Sequence, residues 1–224
     1  MLRAQYNVWI VVLVAAAAWA QEPPGKVLDR VVAIIDGRAL TLSEVEFEGR
    51  VTLISAGGVE AATALLDDAA LKEALDHAIG VRLQSSEADK LQAYTLEPGE
   101  IEAAIALFQR RFSSPRHFQQ FLDRHDADLQ HLATVLARNL RAAKILDAKL
   151  KLRAQVSEAE VRRYYDEHAA ELGSSYEEVR GPLKDKLVIE RLRKLTLAEL
   201  AAVRRGADVR IIAPFARKES ASSP

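Results

Sequence analysis

The chain has 224 residues, 49% hydrophobic and 28% charged, with ten Gly, seven Pro and no Cys. That content excludes a disordered or collagen-like chain, and the missing Cys excludes disulfides, thiolate catalysis and Cys-ligated metal sites. Lys and Arg number 31 against 32 Asp and Glu, so the formal charge of -1 gives no electrostatic ground for nucleic-acid binding.

The chain begins with a signal-peptide pattern. Arg3 is its positive start, Val8 to Ala18 its apolar run, and Ala18-Trp19-Ala20 its small-x-small motif, which places cleavage after Ala20. The apolar run is shorter than the ~20 residues of a comfortable membrane span. Nothing later resembles one, so no integral membrane segment is expected after cleavage. Export to the periplasm follows if the cell has two membranes. The expected division is a signal peptide over 1–20, a flexible arm over 21–26, a helical domain over 27–212 and a flexible tail over 213–224.

Two strands come first. Val31 to Ile35 is an apolar run, Asp36-Gly37 a tight-turn signal, and Arg38 to Leu40 the returning strand. Ser43 with Glu46, or Thr41 with Glu44, then forms a capping box that opens a first helix carrying Val45, Val51 and Leu53, before Gly57-Gly58. Val59 to Leu66 is apolar but ambiguous. From Asp68 to Lys90 the spacing of Leu71, Leu75, Ile79 and Leu83 predicts a long helix, with Asp67-Asp68 as its cap and Gly80 at a close helix crossing.

Pro98 fits the first turn of a third helix with Ile101, Ile105, Phe108 and Phe112 on one face. Ser114 caps a fourth, with Pro115 in its first turn and Phe118, Phe121 and Leu122 on one face. A long helix within Ala127 to Ala154 follows from Leu129, Leu132, Leu136, Leu140, Ala143, Leu146 and Leu150. Ser157 and Glu160 box the next, ahead of Val161, Tyr164 and Tyr165. After Gly173-Ser174-Ser175 a last helical stretch runs from Tyr176 to Arg205, interrupted or restarted at Gly181-Pro182. Val209 to Ile212 reads as a terminal strand. A lone hairpin is marginal in water, so the fold class is mainly α, with a small β-sheet formed by the N-terminal hairpin and the C-terminal strand.

Catalytic motifs are missing. No GxSxG, GxGxxG or P-loop pattern occurs, and no metal or cofactor is expected. His77, His117, His125, His131 and His168 read as ordinary surface or helix-terminal residues; His125 and His131 would stand about 240° apart on one continuous helix. The basic run of Arg138, Arg141, Lys144, Lys149, Lys151 and Arg153 reads as a solvated face, or as a surface for an anionic partner. Phe108, Phe112, Phe118 and Phe121 flank the Ser113-Pro115 corner. They can be core, or they can line a groove for apolar segments of unfolded polypeptides, which makes them the candidate client-binding residues.

The order of these pieces resembles the N-terminal module of the SurA-like periplasmic chaperones and the helical part of PrsA-type foldases. The likeness rests on VLDRVVAIIDGRALTLSEV from Val27, DDAALKEALDHAIGVRLQSSEADKLQ, LEPGEIEAAIALFQRRF with SPRHFQQFLDRH, VSEAEVRRYYDEH, and the SYEEVRGPLKDKL segment that returns to the module. Between the last two, where such proteins carry a parvulin domain of on the order of 100 residues, only Ala169 to Ser175 intervene. The resemblance therefore implies the chaperone half without the proline-isomerase half: an ATP-independent periplasmic holdase, not an enzyme, whose partners are unfolded outer-membrane or secreted proteins. The alternatives are a structural or adaptor protein of the envelope and a peptidyl-prolyl cis-trans isomerase.

Overall fold

The computed structural model describes residues 29–216. The expected signal peptide, its cleavage point and the arm over 21–26 lie outside the described residues. β1 (Val31–Ile35) and β2 (Arg38–Thr41) form a hairpin whose turn residues, Asp36 and Gly37, both take positive φ, at 47° and 79°. Asp and Gly tolerate this left-handed backbone, which matches the twist of the flanking strands. β3 (Val209–Ile211) pairs antiparallel with β1, and the sheet order is β2-β1-β3. The two ends of the described chain thus meet in one small sheet, as expected.

Seven helices fill the interval: α1 (Leu42–Ser55), α2 (Asp68–Lys90), α3 (Pro98–Gln109), α4 (Pro115–Arg124), α5 (Leu129–Leu150), α6 (Glu158–Leu172) and α7 (Tyr176–Arg205). The caps explain several boundaries. Thr41 and Glu44, not Ser43 and Glu46, close the box on α1, because the Ser43 hydroxyl instead donates to the Asp29 carboxylate at 2.5 Å. Asp67 accepts from Ala70 N–H at 2.8 Å to start α2. Ser114 caps α4, Ser157 caps α6, and Gly173, left-handed at φ 65°, ends α6.

Two departures concern the C-terminal half. α7 continues through Gly181-Pro182 without a break. The first residues of the segment expected as a flexible tail, Ala213 to Ala216, are ordered: Ala213 is buried, and Phe215 packs with the sheet and α2.

The core has two main parts and a satellite. One joins β1, β2 and α2 through Val32, Leu40, Leu75, Ile79 and Leu83. The other gathers Phe47, Val51 and Ile54 of α1 with Phe108, Phe121, Leu132 and Val135. Val161 and Leu183 form the satellite between α6 and the start of α7. α1 and α2 pack closely at Gly49, where an added Cβ would stand 2.6 Å from the Ala74 Cβ. Gly80 also marks a close approach, with Leu200 of α7 3.3 Å from where its Cβ would be.

The basic run on α5 is an intramolecular ion-pair seam more than a free face. Arg138 pairs with the buried Glu48 of α1 at 2.6 Å, Arg141 with Asp89 of α2 at 2.6 Å, and Lys144 with Glu100 of α3 at 2.7 Å. Lys149 bridges Glu87 of α2 and Glu199 of α7. Glu48 also receives both guanidinium nitrogens of Arg82, so its buried charge is fully partnered.

Candidate functional site

The four phenylalanines come together, as their spacing around the Ser113-Pro115 corner suggested, but not equally near the surface. Phe108 and Phe121 are 2% exposed and Phe118 6%, so these three belong to the core. Phe112, one residue before the corner, is half-buried, with its ring 5.5 Å from Phe121 and 5.6 Å from Phe108 and Phe118. Phe112 and Phe121 line an open pocket of about 250 Å³ together with Val59, Ala62, His117 and Arg124. This is below the ~300–1,000 Å³ of clefts for drug-sized ligands. It suits one or two side chains of a polypeptide.

The pocket's far wall is the segment the sequence left ambiguous. A 3-10 turn at Val59–Ala62 is held by two arginines whose donors replace the missing helical partners of its carbonyls. Arg50 of α1 donates to Ala61 O and, at 2.6 Å, to Ala64 O. Arg124, the last residue of α4, donates to Ala62 O at 2.8 Å. At the rim, Ser113 Oγ lies 2.7 Å from His117 Nδ1. Of the residues lining this pocket, Val59, Ala62, His117 and Arg124 are not marked as site residues by the sequence. Their convergence depends on contacts between segments some sixty residues apart, such as the bond between Arg124 and Ala62, and no local pattern announces it.

Behind the pocket, His125 and His131 both approach Phe47, at 5.9 and 4.7 Å between ring centroids. They do not share a helix: the chain breaks at Asp126, with φ 47°, between α4 and α5. Burial, then the nearby positive charges of Arg50 and Arg124, push the His125 imidazole below its ordinary value, so its neutral form is favoured.

Chemically, such a pocket can desolvate one side chain and the peptide bond beside it, with guanidinium and hydroxyl donors at the edge. Among the described residues no three His, Asp or Glu side chains converge as a metal site. No helix among them is long and apolar enough to cross a membrane.

No family model matches the chain. It is 34% identical over 74 residues, a third of its length, to a protein of Azotobacter vinelandii described as "Putative peptidyl-prolyl cis-trans isomerase NifM". Those residues cover a quarter of that protein. The similarity corrects the resemblance drawn above. The likeness is to a protein named as a proline isomerase, whereas the short interval at Ala169 to Ser175 argues, on the resemblance alone, for a SurA-type chaperone module without that activity. It also removes the ground for excluding an enzyme. The interval itself is a plain α6–α7 connection, closed by Gly173 and by the Ser175–Glu178 capping box. A short connection shows that no domain is inserted there; it carries no information about what the helical body does.

Proposed function

We propose that this chain is an exported folding factor that binds unfolded polypeptides without ATP and promotes peptidyl-prolyl cis-trans isomerisation in them, with the periplasm as its compartment. The observation that carries the proposal is the open pocket whose floor is the half-buried Phe112 packed against the buried Phe121, with polar groups at its edge. The similarity to a protein named as a proline isomerase supports the choice of reaction. Isomerisation about an X–Pro bond needs no covalent intermediate. The barrier comes from amide resonance, on the order of 20 kcal/mol, and resonance weakens when the charge-separated amide loses water and the prolyl nitrogen gains a donor. Phe112, backed by the buried Phe121, would take the ring and exclude water. Arg124, already turned toward this wall through Ala62, would be the nearest guanidinium donor.

The test is a refolding reaction limited by a proline isomerisation, which is slow enough without help to be followed by hand. Substoichiometric amounts of the chain should speed the slow phase, and in a parallel assay an equimolar or larger amount should hold an unfolded outer-membrane protein in solution without ATP. An unchanged slow phase would overturn the isomerase assignment. Aggregation proceeding unchecked would overturn polypeptide binding.

A further inference from the structure

β1 is the central strand, and its main-chain groups alternate between two neighbours. Asp36 N–H donates to Asp208 O at 2.8 Å, and Val32 O accepts from Ile212 N–H and Ala213 N–H at 2.9 and 3.0 Å. Residues 32, 34 and 36 therefore turn toward β3, and residues 33 and 35 toward β2. Across the two-residue hairpin, Ile35 stands opposite Arg38, Ile34 opposite Ala39 and Ala33 opposite Leu40. Arg38 and Leu40 thus face β1, while the N–H and C=O of Ala39 point away from the sheet. Thr41 N–H, further along, is taken by the Glu44 carboxylate at 2.9 Å. Ala39 is exposed, and among the described residues β2 is the outermost strand, so Ala39 sits on an edge that no described strand covers.

Ala39 also lines a groove of about 870 Å³, which it shares with Arg38 and Leu40 of β2 and with Arg82, Ser86 and Lys90 of α2. We infer that this groove holds an extended, proline-free polypeptide segment that adds to the edge of β2 as a fourth strand, bonded main chain to main chain at Ala39. An outward N–H and C=O pair on one strand residue is complementary to another extended backbone, which offers the same pair at the same spacing. The groove carries both signs of charge, Asp36, Glu44 and Asp89 beside Arg38, Arg82 and Lys90, so it selects against neither acidic nor basic segments. Recognition through the main chain suits a protein that must accept unlike sequences. Proline lacks the donor and cannot take the paired position, so this site and the Phe112 pocket would hold different parts of one client.

The partner class rests on the proposed function; the site does not, and the test separates them. The probe is a short Lys-flanked peptide of alternating Thr and Val, containing no proline, titrated into the isotopically labelled full chain. Amide exchange at Ala39 should slow as the peptide saturates. A version of the peptide N-methylated along one edge should bind about tenfold more weakly, the loss expected for one or two main-chain hydrogen bonds. Ala39→Pro should weaken binding by a similar factor while leaving the acceleration of proline-limited refolding unchanged. Unaltered exchange at Ala39 in the wild-type chain, equal affinity for the N-methylated peptide, or no binding at millimolar peptide would each overturn the inference. Loss of proline acceleration in the wild-type chain would instead remove the proposed function and leave the edge site standing.

Discussion

Replacing Phe121 and Phe112 separately by Ala should divide the aromatic cluster into its structural and its binding parts. Phe121 is 2% exposed, and its ring centroid lies 5.7 Å from Phe47, 5.9 Å from Phe108, 5.5 Å from Phe112 and 5.2 Å from His125. Truncating a side chain enclosed on that many sides loses its transfer energy and leaves a cavity, together about 3–5 kcal/mol. At roughly 2–4 °C per kcal/mol for a chain of this size, the melting temperature should fall by about 6–20 °C. Phe112 is half-buried beside the same rings, so Phe112→Ala should cost about 1–2 kcal/mol from partial loss of apolar burial. Its main effect should be on affinity for a proline-containing peptide. Urea unfolding and peptide titration on the same preparations measure both quantities. If Phe112→Ala is as costly as Phe121→Ala, the pocket floor is closed core and the binding argument fails; if Phe121→Ala costs under 1 kcal/mol, the cluster is not the core described here.

Removing residues 209–224 should lower stability by several kcal/mol, because it strips β1 of a neighbour and removes Ala213 and Phe215 from the core shared with β1 and α2, whereas removing 217–224 should change the melting temperature little; equal effects in thermal unfolding would refute closure of the sheet by β3. Gly49→Ala should overpack against Ala74 by about 1–3 kcal/mol, against ~1 kcal/mol of helix propensity gained, and in a double-mutant cycle with Ala74→Gly, which alone costs ~1 kcal/mol of propensity, the two changes should couple favourably in urea titrations; additivity would refute the close approach. Glu160 is held down to about 2 by the Arg191 guanidinium and by the Ser157 N–H and hydroxyl. A depressed carboxylate stabilises fully above its ordinary value of 4.5 and loses that contribution as pH falls toward 2. Amide protection across the contact between α6 and α7 should therefore drop over that window, and Glu160→Gln should flatten the drop; an identical pH profile in the variant would contradict the pairing.

The local chemistry of the chain was legible to a useful depth. The Asp36-Gly37 turn, the proline-led starts of α3 and α4, and the bounds of α2 all follow from rules that act within a few residues. The closure of the sheet was also legible, since an isolated hairpin needs a partner and Val209 to Ile212 offered one. Pairings between distant segments were less so. Arg138, Arg141 and Lys149 looked like a solvated face because their acidic partners lie on α1, α2 and α7, and the Phe112 pocket was seen only as its aromatic half because its other wall depends on Arg50 and Arg124 reaching the 59–64 segment. Gly49 gave no signal at all, since a close crossing is a property of two helices. The exclusion of an enzyme fails for another reason: a short connection between α6 and α7 says nothing about which activity the helical body carries.

The most direct test of the central claim is the exchange rate between cis and trans forms of a short Xaa-Pro peptide, measured by magnetisation-transfer NMR with the wild-type chain and with Phe112→Ala. Uncatalysed interconversion takes tens to hundreds of seconds and gives no exchange signal. With wild-type chain in catalytic amounts, cis-trans exchange peaks should appear, and they should be lost or strongly reduced in Phe112→Ala while its fold persists. No exchange with the wild-type chain, or undiminished exchange in the variant, would contradict the assignment of this activity to the Phe112 pocket.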